Sequence, residues 1–208
     1  MDITPKNLTI VFDLGAVLIE WDPRYLYRKL FSGDDEAMEY FLANICSPMW
    51  NHRLDLGYSF RLAVTELAEE FPKYADLIRA YHTRWEEMVP FAFDGTVKLL
   101  DALGKRGYRL TALSNWSHET FPFMKRRFAF LELFDTIVIS GETRLAKPDP
   151  QMFAFFLDRI DQKAERCLFI DDSRPNIAAA QQLGFRTIHF QSPERLEDEF
   201  GRLGLLNR

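Results

Sequence analysis

Residues 8–18 read LTIVFDLGAVL, and this stretch decides the fold. Its first five residues are mostly apolar and β-branched, which is typical of a buried strand. Asp13 follows at the end of that strand, where a buried carboxylate costs free energy unless something pairs with it. Gly15, two positions later, permits a close approach of the backbone to a ligand. The stretch therefore predicts a strand whose carboxyl end carries a binding site.

Four further segments have the length and composition of buried strands, and helical patterns separate the last four of the five. Strands and helices that alternate through short links predict a parallel sheet with helices on both faces. We therefore expect a Rossmann-like α/β fold. The five predicted strands are Leu8–Phe12, Tyr108–Leu113, Thr136–Ser140, Arg166–Ile170 and Phe185–Phe190.

The segment between the first two strands is far too long to be a loop in a compact domain. Apolar residues recur at helical spacing from Phe60 to Phe71, and a second helix is predicted over Tyr74–Met88. We expect a helical cap that leaves the sheet directly after Asp13 and lies beside that carboxylate. The predicted division is a cap over residues 16–92 and a core over residues 1–15 and 93–208.

Polar residues follow the carboxyl ends of the predicted strands. They are Asp13, Ser114, Asn115, Asp171 and Asp172, with Lys147 in the loop after the third strand. In an open parallel sheet, ligands bind beyond these ends, where the strand order reverses. If the first strand is central, the side chains converge, and three close carboxylates then require a cation. Their hard oxygen atoms favour Mg²⁺, and the added hydroxyl and lysine suit a phosphoryl group.

Four motifs, FDLGAVL, LSN, AKPDP and FIDDSRPNI, resemble the ordered motifs of the haloacid dehalogenase superfamily. The resemblance is to the class with a helical cap, which includes many small-molecule phosphatases, and it covers essentially the whole chain. It implies an enzyme, a Mg²⁺-dependent phosphatase that hydrolyses a small phosphorylated metabolite. It also implies that the reaction passes through an aspartyl-phosphate, which divides hydrolysis into two displacements.

The resemblance implies roles for the acidic residues. Asp13 would be the nucleophile and a metal ligand, and the backbone carbonyl of Gly15 would be a second ligand. Asp172 would bind Mg²⁺ directly, whereas Asp171 and Asn176 would support its water shell. A carboxylate that attacks a phosphate dianion meets repulsion, and the metal would cancel part of it in the transition state.

The resemblance also implies which residues meet the phosphate. Ser114 and Asn115 would contact it, and Lys147 would offset its charge. Aromatic residues and one histidine are candidates either for a substrate pocket or for the cap's own core. Trp116 is the strongest pocket candidate because it directly follows the Ser114-Asn115 pair. The other candidates are Trp21, Trp50, His52 and Trp85.

Gly15 departs from the pattern, because most of the phosphatases that this chain resembles carry an Asp there that protonates the leaving group. Three interpretations follow. The chain is a phosphatase with another acid, a water or an easy leaving group; a metal-free 2-haloacid dehalogenase, whose halide needs no proton; or a phospholigand-binding protein without turnover. The acidic pair after the fourth strand favours the first over the second. Glu20, Asp22 and His52 of the cap are candidate proton donors.

Composition limits the partners. The net charge of −5 argues against a surface for nucleic acid or for an anionic membrane. Cys46 and Cys167 lack metal-ligand spacing and are predicted to be free, buried thiols in a reducing compartment, which is the cytoplasm. We expect no membrane contact, since no segment has the length of a transmembrane helix and no N-terminal run fits a signal peptide.

Overall fold

The computed structural model describes residues 7–206. Its strands are β1 (Thr9–Phe12), β2 (Arg109–Ser114), β3 (Thr136–Ile139), β4 (Cys167–Asp171) and β5 (Arg186–His189). They form one parallel sheet in the order β3-β2-β1-β4-β5. β1 is therefore central, with β2 and β4 on either side, as predicted. Each predicted strand overlaps an observed one, and no end differs by more than one residue.

The α-helices alternate with the strands after β2, and the helices between β1 and β2 come in one uninterrupted series. They are α1 (Arg24–Leu30), α2 (Asp35–Asn44), α3 (Pro48–Asp55), α4 (Phe60–Glu70), α5 (Ala75–Thr83), α6 (Asp94–Lys105), α7 (Phe121–Arg127), α8 (Ser140–Thr143), α9 (Pro150–Ile160), α10 (Arg174–Gln182) and α11 (Pro193–Arg202). Short 3-10 helices span Pro72–Tyr74, Trp85–Met88, Ala129–Leu133 and Ala164–Arg166.

Successive side chains of β1 point to opposite faces of the sheet, so the strand supplies both hydrophobic clusters. Ile10 and Phe12 belong to one cluster, which α6 and α11 also enter. Val11 belongs to the other, which α9 and α10 cover. Both faces of the sheet are thus covered by helices, which confirms the predicted fold class and explains why β1 has no solvated face.

The helices α1 to α5 form the inserted cap, and their apolar residues join the same cluster as one face of the sheet. The helix predicted from Phe60 is confirmed as α4. The single helix predicted over Tyr74–Met88 is wrong, because α5 ends at Thr83 and a 3-10 helix follows it. In a 3-10 turn, residues three apart share one side, so Trp85 and Met88 are buried together there. The division at residues 16–92 stays a prediction.

The end of α3 is hydrogen-bonded to Ser140 of the core. The Ser140 hydroxyl donates to the backbone carbonyl of Asp55 over 2.5 Å and accepts from the backbone N–H of Trp116 over 2.9 Å. Gly57 passes so close that a Cβ atom there would lie 2.7 Å from the carbonyl oxygen of Gly141. The cap therefore meets the core beside the polar residues that end β2.

Among residues 7–206, no helix is both long enough and apolar enough to cross a bilayer. Cys46 and Cys167 are both buried and free, as their spacing predicted. Burial raises the pKa of the Cys167 thiol to about 12, so that side chain stays a neutral, weakly reactive thiol. The cytoplasmic location stays a prediction.

The contact between Gly57 and Gly141 predicts a graded loss of stability. Gly57 has a φ of +85° and Gly107 a φ of +81°, but a Cβ atom at Gly107 would meet nothing within 4 Å. Gly107→Ala should lower the free energy of unfolding by about 1–2 kcal/mol, the cost of a left-handed alanine. Gly57→Ala should cost about 1–3 kcal/mol more, because its methyl group meets a backbone oxygen. Urea unfolding of both variants measures the difference, and equal losses would contradict the tight junction.

Candidate active site

Three neighbouring strands bring carboxylates and a hydroxyl to one edge of the sheet. Asp13 directly follows β1, Ser114 ends β2 and Asp171 ends β4. Because β1 lies between β2 and β4, these carboxyl ends meet, as the sequence predicted. The Ser114 hydroxyl donates to Asp13 Oδ1 over 2.6 Å, and the backbone N–H of Leu14 donates to the same oxygen over 2.7 Å. The two hydrogen bonds hold the Asp13 carboxyl group in one orientation.

Lys147 joins two of the acidic side chains. Its Nζ lies 3.0 Å from Asp13 Oδ2 and 2.7 Å from Asp171 Oδ2, and its side chain is 1% exposed. Burial alone lowers the pKa of a lysine, but the two carboxylates together outweigh that effect, and the pKa of Lys147 is raised. The lysine is therefore a permanent cation at this edge of the sheet.

The side-chain amide of Asn115 holds the backbone of Lys147. Asn115 Oδ1 accepts from the Lys147 N–H, and Asn115 Nδ2 donates to the Lys147 carbonyl oxygen, each over 2.9 Å. The sequence did not reveal this pair of hydrogen bonds, because the two residues lie on different loops. Asn115 thus orients the lysine, while its predicted contact with phosphate, like that of Ser114, stays a prediction.

The acidic residues have the geometry of a cation site. Asp13, Asp171 and Asp172 each offer a carboxylate oxygen, and these oxygens lie within 4.8 Å of one another. When all three are ionised, the single positive charge of Lys147 leaves two negative charges uncompensated. A divalent cation would balance them, and an all-oxygen donor set suits Mg²⁺. The residues present therefore fit the metal that the sequence predicted.

The two adjacent aspartates differ in what surrounds them. Asp171 is fully buried, and its carboxylate accepts from the Ser173 N–H over 2.8 Å, from Asn176 over 3.0 Å and from Lys147. Asp172 is exposed to solvent at the same edge, but its carboxyl group is partly desolvated by the neighbouring residues, and this desolvation and the charge of Asp171 raise its pKa. A supporting role suits Asp171 and direct metal binding suits Asp172; both roles stay predictions.

Charge and burial compete at Asp13. Burial raises the pKa of this carboxyl group to about 7, and the negative charge of Asp171 adds to the effect. Lys147 and the hydrogen bond from Ser114 act in the opposite direction. A cation bound at the cluster would favour the ionised form and would thereby make Asp13 a nucleophile at neutral pH.

A cavity of about 230 Å³ opens beside this edge, between the core and the cap. From the core it is lined by Gly15, Asn115, Trp116, Ser117, Thr120 and Asp172, and from the cap segment by Ala16, Trp21, Asn51, Asp55, Phe60 and Trp85. Trp21, Trp85 and Trp116 therefore contribute to a pocket. Trp50 instead lies in the core of the cap, with its ring 4.9 Å from that of Tyr81, and His52 is exposed.

Asp55 is a residue of this cavity that the sequence reasoning missed. It ends α3, and burial raises the pKa of its carboxyl group to about 8. Asn51, one helical turn earlier, donates from Nδ2 to Asp55 Oδ2 over 2.9 Å. The spacing of four residues predicts that contact, but only the docking of the cap on the core places Asp55 in the same cavity as Gly15.

Known proteins resemble the chain over most of its length. A sequence model of the haloacid dehalogenase-like hydrolases matches residues 9–184. Sesquiterpene phosphatase astK of Aspergillus oryzae is 26% identical over 86% of this chain and 87% of its own length. (S)-2-haloacid dehalogenase 1 of a Pseudomonas species is 29% identical over 54% of this chain and 47% of its own.

Solved structures share the fold. A haloacid dehalogenase-family enzyme of Bacteroides thetaiotaomicron, in complex with magnesium and inorganic phosphate, has a TM-score of 0.68 and 23% identity. The match covers 89% of this chain and 94% of that one. About nine-tenths of this chain therefore has a counterpart in the fold of that enzyme.

Asp13→Asn should flatten the pH dependence of stability in metal-free protein. The pKa of Asp13 rises from 3.8 in the unfolded chain to about 7 in the folded one. Between these values the unfolded chain loses the proton that the folded chain keeps, so stability falls as the pH rises. Asparagine has no such proton, and the free energy of unfolding should fall less between about pH 5 and about pH 8.

Urea unfolding in EDTA measures this difference. The matched control is Asp76→Asn, because the Asp76 side chain is fully exposed and its variant should keep the wild-type pH dependence. Parallel curves for wild type and Asp13→Asn would mean that Lys147 alone keeps Asp13 ionised throughout this range.

Proposed function

The chain belongs to the haloacid dehalogenase-like hydrolases, and we propose that this enzyme is a Mg²⁺-dependent phosphatase of a small phosphorylated metabolite. One observation carries the proposal. The Asp13 carboxyl group is held between Ser114 and Lys147, within reach of two further carboxylates, and one of those, Asp172, lines the cavity together with Gly15. That arrangement offers a nucleophile, a fixed positive charge and a metal site around one small volume.

Asp13 would attack the phosphorus atom and carry the phosphoryl group as an aspartyl-phosphate until water releases it. The hydrogen bonds from Ser114 and Leu14 hold one carboxylate oxygen, and so they orient the other. Holding the nucleophile in one orientation lowers the barrier because the ordering is complete before the substrate arrives.

Lys147 would act electrostatically. It is buried and permanently charged, and its Nζ lies between Asp13 and Asp171, the carboxylates that a phosphate dianion would approach. A preorganised charge in a water-poor site stabilises the transition state more than the same charge in water. Asp13, Asp172 and the carbonyl of Gly15 would hold Mg²⁺, which supplies further charge neutralisation when bound.

The cavity limits the substrate. Its volume of about 230 Å³ admits a small molecule, and aromatic side chains from both the cap and the core line it. Aromatic faces accept apolar groups and the ring faces of sugars alike. We therefore infer a compact phosphorylated metabolite whose leaving group packs against Trp21, Trp85 and Trp116. Phosphatase relatives of similar length support this substrate class.

A 2-haloacid dehalogenase is the second candidate. A relative with that name is 29% identical over about half of this chain, and Gly15 would be harmless because halide leaves without a proton. The cluster of Asp13, Asp171 and Asp172 favours the phosphatase, since a dehalogenation at Asp13 needs no cation beside it. A protein that binds phosphorylated ligands without turnover would keep the same site but release no product.

Phosphate release from p-nitrophenyl phosphate should require Mg²⁺, cease in EDTA and return when excess Mg²⁺ is added. Asp13→Asn should abolish it at every Mg²⁺ concentration, because an amide is neither a nucleophile nor a charged ligand. Asp172→Asn should raise the Mg²⁺ concentration for half-maximal rate by at least about tenfold, since it weakens the metal site. The measurement is steady-state phosphate release against Mg²⁺ concentration.

Asp76→Asn, at a fully exposed position of α5, is the control and should match wild type. Full activity in EDTA, or turnover by Asp13→Asn, would contradict the mechanism. Chloride release from 2-chloropropionate in EDTA would instead identify the dehalogenase. Binding of inorganic phosphate without release of product from any phosphomonoester would identify the binding protein.

A further inference from the structure

The reaction at this site needs a proton that Gly15 cannot supply. An alkoxide leaving group must be protonated as its bond to phosphorus breaks, and the attacking water must later lose a proton. Glu20, Asp22 and His52 are the cap residues that the sequence offers as candidates. None of them lines the cavity among the residues that the structure describes. The Asp22 carboxylate accepts from the N–H of Arg24 over 2.8 Å, and His52 is exposed.

Asp55 is the carboxyl group that does line the cavity from the cap. It lines the same cavity as Gly15 and Asp172, so its carboxyl group faces the space in which a bound substrate would lie. Its backbone is fixed by the 2.5 Å hydrogen bond from Ser140, and Ser140 in turn accepts from the N–H of Trp116. These hydrogen bonds hold the backbone of a cap residue at a fixed position relative to the loop that follows β2.

The Asp55 side chain is oriented as well as placed. Tyr81 donates from its hydroxyl to Asn51 Oδ1 over 2.8 Å, and Asn51 Nδ2 donates to Asp55 Oδ2 over 2.9 Å. Tyr81 is 1% exposed, so this chain of hydrogen bonds is anchored inside the cap. Within residues 7–206, no hydrogen bond or ion pair engages Asp55 Oδ1, which leaves that oxygen to carry a proton.

The surroundings of Asp55 favour the protonated form. Burial raises the pKa of this carboxyl group to about 8, and within the described chain no cationic side chain forms an ion pair with it. A neutral carboxyl group that accepts one hydrogen bond at Oδ2 can donate its own proton from Oδ1. Enzymes that use a carboxylic acid as a proton donor keep it neutral by burial of this kind.

We propose that Asp55 is the general acid and general base of this site, taking the place of the acidic residue that Gly15 replaces. The inference rests on the phosphatase proposed above. In the first step Asp13 forms a bond to phosphorus, and the bond from phosphorus to the leaving oxygen breaks with its electron pair staying on that oxygen. The proton of Asp55 moves to the oxygen and completes the alcohol.

The second step returns the enzyme to its starting state. The Asp55 carboxylate takes a proton from water, and the oxygen of that water forms a bond to phosphorus. The bond from phosphorus to Asp13 breaks, its electron pair restores the Asp13 carboxylate, and inorganic phosphate leaves. Asp55 is protonated again, so one water is consumed for each alcohol and phosphate formed.

The test compares two probes, methyl phosphate and p-nitrophenyl phosphate, with wild type and Asp55→Asn in saturating Mg²⁺. For methyl phosphate, Asp55→Asn should lower kcat/KM by about 10²–10⁴-fold, because a basic alkoxide needs the proton. For p-nitrophenyl phosphate, kcat/KM should change by less than about tenfold, since nitrophenolate leaves unprotonated. The kcat for p-nitrophenyl phosphate should still fall, because hydrolysis of the aspartyl-phosphate is common to both substrates and lacks its general base in Asp55→Asn.

A second variant separates a chemical role from a structural one. A Cβ atom at Gly15 meets only Trp116, at an ordinary contact distance of 3.9 Å, so the backbone there has room for a side chain to begin. Gly15→Asp in the Asp55→Asn background should restore methyl phosphate turnover at least tenfold, within the span of about 10²–10⁴ that a positioned acid contributes. Asp76→Asn, an exposed aspartate of the cap, should change neither probe.

The outcomes distinguish the two proposals. No Mg²⁺-dependent turnover of either probe by wild type would overturn the phosphatase assignment and this inference with it. If wild type is active but Asp55→Asn lowers kcat/KM by the same factor for both probes, and Gly15→Asp does not restore it, the inference alone is overturned. A dependence on the leaving group that appears only in the variant, together with rescue, is the result that the structure predicts.

Discussion

Lys147 is a buried cation placed between two carboxylates at the end of a parallel sheet, and the rest of the site depends on it. Its Nζ touches both Asp13 and Asp171, which could not remain buried and ionised side by side without it. Asn115 fixes its backbone from the neighbouring loop. The sheet brings the side chains of this site together, since the carboxyl ends of β1, β2 and β4 lie next to one another.

The cap supplies part of the cavity that lies beside the strand ends. In the proposed mechanism the core supplies the nucleophile, a cation and the metal ligands, and Asp172 is the one carboxyl group that the described core residues place in the cavity lining. The cap adds a second one, Asp55 of α3, whose backbone carbonyl accepts a hydrogen bond from Ser140. Two further contacts join the cap to the core nearby. Gly57 closely approaches Gly141, and the backbone N–H of Phe60 donates a hydrogen bond to the Glu119 carboxylate. Stability of the junction and chemistry at the site therefore depend on the same few contacts.

The fold and the core half of the site could be predicted because their signals are local. A β-branched run ending in an aspartate identifies a strand and its functional end, and the strand order follows from topology. Three features of the site could not be predicted: the place of Asp55 in the cavity, the hydrogen bonds from Asn115 to the backbone of Lys147, and the position of Trp50 inside the cap. Each depends on how segments far apart in the chain pack, and an acidic residue at a helix end has no distinctive pattern. The prediction of one helix over Tyr74–Met88 is wrong because helical spacing does not distinguish a continuous α-helix from an α-helix followed by a 3-10 turn.

In the proposed mechanism the phosphoryl group passes through Asp13, and mass spectrometry of acid-quenched enzyme would detect that intermediate. Enzyme mixed with p-nitrophenyl phosphate and Mg²⁺, stopped in acid during turnover and digested, should yield the Asp13 peptide with the added mass of one phosphoryl group. The adduct should be absent in EDTA. An enzyme that releases phosphate while that peptide stays unmodified at every time point, or that carries the group on another residue, would contradict the account.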